Sequence, residues 1–161
     1  MEAHEVTGDL AYSRWSPGEG ITVHTILAGG APWHVRVHRV VTDRALECEE
    51  SGFAAGGPEA TTGGFEAGPG FARVRTVAGV SEIHDLGGDR AGAAQPLPPN
   101  ASLAHPFAAA PMLRTQLAPG RHELACAVFA SDRQDGRVQA EPPSVPRAAR
   151  ELLDARCPLA P

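Results

Sequence analysis

The densest run of chemically capable side chains is Trp33-His34-Val35-Arg36-Val37-His38-Arg39. On a β-strand, period two sends His34, Arg36 and His38 out of one face, with about 7 Å between successive members. Two imidazoles around a guanidinium suit a carboxylate, a sulfate or a uronic acid, the arginine fork donating two parallel hydrogen bonds. The same spacing serves a metal poorly. His34 and His38 lie ~13 Å apart with Arg36 between them, too far for one zinc ion. The competing reading is a solvated or inter-domain sheet face whose cations are balanced by neighbouring acids.

Those acids are close in sequence. Glu47, Glu49 and Glu50 fall on the next strand-like run, where cross-strand pairing with Arg36 or Arg39 is expected. Two carboxylates at a suitable separation could act as acid and base in glycoside hydrolysis. Glu47 and Glu49, however, share one strand face and have no partner for that work, so ion pairing is the expectation. Tyr12-Ser13-Arg14-Trp15 is the other cluster. A Tyr and an Arg on alternating faces near a Trp could stack on a sugar ring, or the aromatics could cover the end of a sandwich. His84-Asp85 and His105-Pro106 read as ordinary loop or strand-end histidines. The chain has no G-x-S-x-G, no P-loop, no G-x-G-x-x-G after a strand and no Cys/His metal spacing. No nucleophile–base–orienter set assembles, so no catalytic residue is assigned, and no metal or cofactor is expected.

The elements that must position these residues are strands. Ile21, Val23, Thr25 and Leu27 would line one strand face, with Thr22, His24 and Ile26 on the other. Gly29-Gly30-Ala31-Pro32 is a turn, after which Trp33, Val35, Val37 and Val41 alternate with His34, Arg36 and His38. The two runs predict a β-hairpin, and Arg44 to Glu50 a third strand completing an antiparallel meander. Further strands are expected at Ala11 to Trp15, Ala72 to Ala78, Val80 to Leu86, Pro111 to Leu117 and His122 to Ala130. The pair flanking Pro119-Gly120 reads as a second hairpin. Ala54 to Gly70 and Gly87 to Asn100 are Gly- and Pro-rich and read as irregular loops. Short strands between Gly/Pro turns predict an all-β, antiparallel β-sandwich over residues 1–131. A polar, Pro-rich, loosely attached tail over residues 132–161 would hold one short helix at Arg147 to Ala155.

Bulk properties fit one globular domain: 161 residues, 42% hydrophobic, with room for a core. The net charge is -5 and all 14 basic residues are arginine. Without a clustered basic face, phosphate neutralisation and so nucleic-acid binding are not expected. No stretch approaches the roughly 20 apolar residues of a membrane-spanning helix. The acidic start Met1-Glu2-Ala3-His4-Glu5 has no apolar core of a signal peptide. That leaves a cytoplasmic location or a piece of a longer protein. Cys48, Cys126 and Cys157 match no metal or disulfide pattern, and the first two read as buried free thiols.

The blocks Tyr12-Ser13-Arg14-Trp15, Gly20-Ile21-Thr22-Val23-His24-Thr25, Trp33 to Arg39 and Glu50-Ser51-Gly52-Phe53-Ala54 together give the chain a family likeness. It resembles the C-terminal region of the bacterial domain-of-unknown-function family 2264 over roughly Leu10 to Ala130. The stretches Asn100 to Leu103 and Leu117 to His122 resemble the end of that region. The resemblance implies a parent of two parts, an N-terminal (α/α) toroid and a C-terminal antiparallel β-sandwich, similar to heparinase- and hyaluronate-lyase-like enzymes. It also implies a relation to glycoside hydrolase family 154 and glucuronide cleavage. This chain departs from that plan, since helix-period apolar stripes are essentially absent before Arg147.

Three functions follow as expectations. The first is an accessory β-sandwich of a carbohydrate-active enzyme, inactive alone, supporting a helical toroid in cis or trans. It would offer His34, Arg36, His38, Arg14 or Trp15 to the edge of a cleft for acidic sugars. The second is a structural or interaction module docking through the same face. The third is a stand-alone uronide-acting enzyme with His34 or His38 as base and Arg36 holding the uronate carboxylate.

Overall fold

A computed structural model describes residues 3–31, 33–56, 64–76, 79–87, 90–96 and 108–132. The described residues form strands joined by turns and loops, with no helix among them. In chain order the strands are β1 (Ala3–Thr7), β2 (Leu10–Gly18), β3 (Ile21–Ala28), β4 (Trp33–Thr42), β5 (Leu46–Ser51) and β6 (Ala55–Gly56). They continue with β7 (Phe65–Gly68), β8 (Phe71–Thr76), β9 (Gly79–Asp85), β10 (Ala91–Pro96), β11 (Ala108–Leu117) and β12 (Gly120–Asp132). All pairings are antiparallel. The larger sheet runs β1-β2-β3-β4-β12-β9-β8-β7 and the smaller β10-β11-β5, with β6 also on β11. The protein is an all-β antiparallel sandwich.

The β3–β4 hairpin forms as its alternation dictates, in register from Ile21 opposite Val40 to Leu27 opposite His34. Gly30 supplies a left-handed residue in its turn, at φ 72°. At the other end Gly20, at φ 74°, lies against the Val41 carbonyl so closely that a side chain would collide with it. The Val41 N–H donates to the Gly20 carbonyl there at 2.7 Å.

Two expectations about connectivity and two about loops are corrected. β5 does not complete a meander on β4, because both edges of β4 are taken, one by β3 and the other by β12. The chain instead crosses over and β5 pairs with β11 in the smaller sheet. For the same reason Pro119-Gly120 does not close a hairpin. β12 is held between β4 and β9, so β11 and β12 belong to different sheets and the turn arches between layers. The Gly87 to Asn100 segment, read as a loop, contains β10, and Ala54 to Gly70 contains β6 and β7. β10 reaches its neighbours through Gly92, where any side chain would strike the Phe71 carbonyl. β1 was also unanticipated. The tail beyond Asp132, with its expected helix, lies outside the described residues.

Between the layers, Ala72, Ile83, Leu113, Cys126 and Val128 form one fully buried cluster, continued by Ala55, Val74 and Ala109. The opposite face of the larger sheet is apolar too: Ile26, Val35, Val37, Leu86, Ala125, Ala127 and Phe129 pack together there. Each buried Val, Leu, Ile or Phe side chain contributes about 1.5–3 kcal/mol relative to exposure, the alanines less. The smaller sheet covers the β12-to-β7 half of the larger one, so the β1-to-β3 half has no strand layer over it among the described residues.

Candidate functional site

Alternation on β4 sends Val35 and Val37 to one apolar core and turns His34, Arg36 and His38 toward the smaller sheet. There they meet β5. Its Glu50 points inward and is 7% exposed. His38 Nε2 lies 2.7 Å from Glu50 Oε1, and Arg36 Nε is 3.6 Å from the same oxygen. Arg36 Nη2 also donates to the Ser51 carbonyl at 2.8 Å. The second Glu50 oxygen accepts from Arg90 Nη1 at 3.0 Å.

Arg90, just before β10, is itself 3% exposed. It donates through Nε to Asp85 Oδ1 at 2.9 Å and through Nη2 to the Ala125 carbonyl at 2.6 Å. Five ionisable side chains from β4, β5, β9 and the approach to β10 thus form one network across the sandwich: Arg36, His38, Glu50, Asp85 and Arg90. Such a buried carboxylate persists only if its lone pairs are occupied. Burial by itself would raise the Glu50 carboxyl. The hydrogen bond and charge of His38, with the charge of Arg36, outweigh it and hold the group down at about 2. Glu50 is therefore a carboxylate at neutral pH and not a candidate general acid.

His34 stands apart from this network. Its ring meets Phe53 edge-on, centroids 5.4 Å apart. Burial, and then the neighbouring Arg36 charge, lower its pKa to about 4. It is neutral at physiological pH and adds no positive charge for an anion. The sequence-based trio therefore shares a face but divides in role.

Trp15 does join this face, through the register Trp15–Val23–His38 across β2, β3 and β4. With Val23, Arg36, His38, Leu46 and Glu50 it helps line a cavity of about 410 Å³ beside β5. Arg14 does not. Tyr12 and Arg14, two residues apart, share the opposite face, so the expectation that they alternate is wrong. There the Tyr12 hydroxyl and His24 Nδ1 are 2.8 Å apart. His24 is held low by burial, then by the charges of Arg39 and Arg14.

Of the three acids expected to pair with Arg36 or Arg39, Glu50 meets Arg36, from the other sheet and not from a neighbouring strand. Glu49 pairs with Arg114 on β11 at 2.8 Å, and Arg39 with Glu123 on β12 at 3.2 Å. His84 is not an ordinary strand-end histidine. Its Nε2 lies 2.8 Å from Glu82 Oε2, and Glu82 also pairs with Arg73. Of the thiols, Cys126 is buried and Cys48 half-buried, both unpaired, and burial raises the pKa of each. Among the described residues, no three His, Cys, Asp or Glu side chains gather to hold a metal.

Sequence reasoning missed Arg90 and Asp85. A lone Arg in a Gly-rich segment carries no periodic signal, and Asp85 closes a strand that reads like any other.

The fold and this network define a small antiparallel β-sandwich domain whose layers are joined through a buried ionic network centred on Glu50. The family model described as DUF2264 C-terminal domain matches residues 1–150, and the chain belongs to that family. No curated protein matches it.

Proposed function

We propose that this domain is the accessory β-sandwich of a bacterial carbohydrate-active enzyme of the acidic-sugar glycosidase or lyase type, without catalytic power of its own. The observation that carries the non-catalytic part is Glu50. Its carboxylate engages Arg36 and Arg90, which would otherwise face a uronate, and His38, which would otherwise be open to serve as base. His34, the remaining histidine of the trio, is neutral and packed on Phe53. Family membership supports the accessory part, because the matching unit is itself a C-terminal domain.

The docking face follows from the uncovered half of the larger sheet. Val6 and Leu27 lie on one cross-strand row that runs on to His34, and Phe53 caps that ring. Val6 is 64% exposed, Leu27 44%, Phe53 48% and Trp15 44%. Exposed apolar side chains gathered in this way mark interaction surfaces. The partner we propose is the helical toroid that the family resemblance implies, with Trp15, Arg36 and His38 at the edge of the shared cleft.

The test is turnover. The purified chain, given aryl-glucuronide and unsaturated glucuronide substrates across a wide pH range, is expected to show none. Hydrolysis or elimination that disappears in His38→Ala would overturn the proposal and make the chain an enzyme.

A further inference from the structure

Among the described residues the smaller sheet ends at β5, and no strand lies on that edge. There β5 pairs with β11 alone, from Leu46 opposite Leu117 to Ser51 opposite Met112. The Gly52 N–H donates to the Pro111 carbonyl at 2.8 Å. By the two-residue alternation of an antiparallel ladder, Leu46, Cys48 and Glu50 therefore turn their backbone groups to β11. Glu47, Glu49 and Ser51 turn theirs to the free edge. Arg36 confirms the direction, since it reaches the Ser51 carbonyl from the larger sheet.

An exposed row of backbone donors and acceptors is a template for another strand. Here it has a floor as well. The cavity beside β5 is lined by every β5 residue on one side and by Trp15, Ile21 and Val23 of the larger sheet below. A strand added about 4.8 Å beyond β5 would lie over that floor and extend the short layer across the uncovered half.

We propose that the open edge of β5 is a strand-addition site for an extended peptide that alternates apolar and basic residues. Both halves of that pattern come from β5. Its inward side chains, Leu46 and Cys48, face the floor of Trp15, Ile21 and Val23, so the peptide's inward positions are apolar. Its outward side chains, Glu47 and Glu49, are exposed, Glu49 sharing its carboxylate with Arg114 on the β11 side, so the facing positions on the other side are Arg or Lys. The same acids argue against a second copy as the occupant. Antiparallel β5–β5 pairing would bring Glu47 and Glu49 against their own counterparts in a chain of net charge -5. This inference deepens the docking reading and rests on it only for the peptide's origin in a partner domain.

The test uses a short acetylated peptide alternating valine and arginine, followed by amide hydrogen exchange of the intact chain. Free, the Glu47 and Glu49 amides exchange fast while those of Cys48 and Glu50 are protected. With peptide, Glu47 and Glu49 become protected. Glu49→Pro removes an outward N–H and no ladder bond to β11, and is expected to weaken binding at least about tenfold. Glu47→Arg with Glu49→Arg is expected to switch preference to a valine–glutamate peptide. No protection at Glu47 and Glu49 under saturating peptide overturns the proposal. So does unchanged affinity in Glu49→Pro with Cys48 and Glu50 still protected. If those two amides lose protection in Glu49→Pro, the charge reversal decides, and failure to switch overturns the site. A helical partner domain that binds Glu49→Pro as well as the parent removes strand addition while leaving the docking reading standing.

Discussion

Glu50 is the residue on which both layers converge, and its chemistry sets a pH dependence. Its pKa is held at about 2 against a usual 4.5. The unfolded chain therefore takes up this proton first, and the stabilisation present above pH 4.5 is lost as pH falls toward 2. His34 acts in the same direction at higher pH. Its folded pKa of about 4 lies below the usual 6.5, so stability also declines as pH falls from 6.5 to 4. Denaturant midpoints are expected to drop continuously from neutral pH downward, with His34→Gln flattening the upper part of the curve. Glu50→Ala strands Arg36, His38 and Arg90 and is expected to cost about 3–5 kcal/mol at neutral pH by urea unfolding. Unchanged midpoints between pH 7 and pH 3 would remove the network from the account. At this scale the sequence showed the cations and one-faced spacing on β4. It did not show which acid would meet them, because Glu47, Glu49 and Glu50 are equally close in sequence and only the crossover of β5 selects Glu50.

Strands were legible where their patterns were strong. Ile21 to Thr42 alternates cleanly across a Gly/Pro turn, and the hairpin forms in the expected place. β10 was not legible, since Ala91-Gly92-Ala93-Ala94 has neither β-branched residues nor alternation, and its strand character comes from pairing with β11. Turn chemistry was misleading in a specific way. Pro119-Gly120 signals that the chain reverses but not whether the next strand pairs with the previous one or arches to the other layer. Partner choice depends on which edges distant strands have filled. Gly20 gives the element-scale prediction. Gly20→Ala places a Cβ against the Val41 carbonyl at a left-handed φ of 74°, and is expected to cost at least about 1 kcal/mol by urea unfolding. A neutral or stabilising effect would mean the β3–β4 base is looser than described.

For the whole molecule, the imbalance between the two sheets matters most. Among the described residues an eight-stranded sheet is covered by a short one over only half its width, and the other half carries Val6, Trp15 and Leu27, with Phe53 packed on His34 beside it. A fold that leaves such a face beside a charge network closed on Glu50 suits a domain that works against a partner. The composition alone could not distinguish this from a solvated face, because a single exposed Leu or Val is ordinary, and only the register of Val6, Trp15 and Leu27 with the His34–Phe53 contact places these four on one side. The most direct measurement is a titration of the chain with the helical toroid proposed as its partner, followed by calorimetry. A saturable 1:1 complex is predicted, weakened at least about tenfold by Leu27→Asp with Val6→Asp, both surface changes that leave the core intact. Absence of a complex, or a complex indifferent to those two substitutions, would contradict the account.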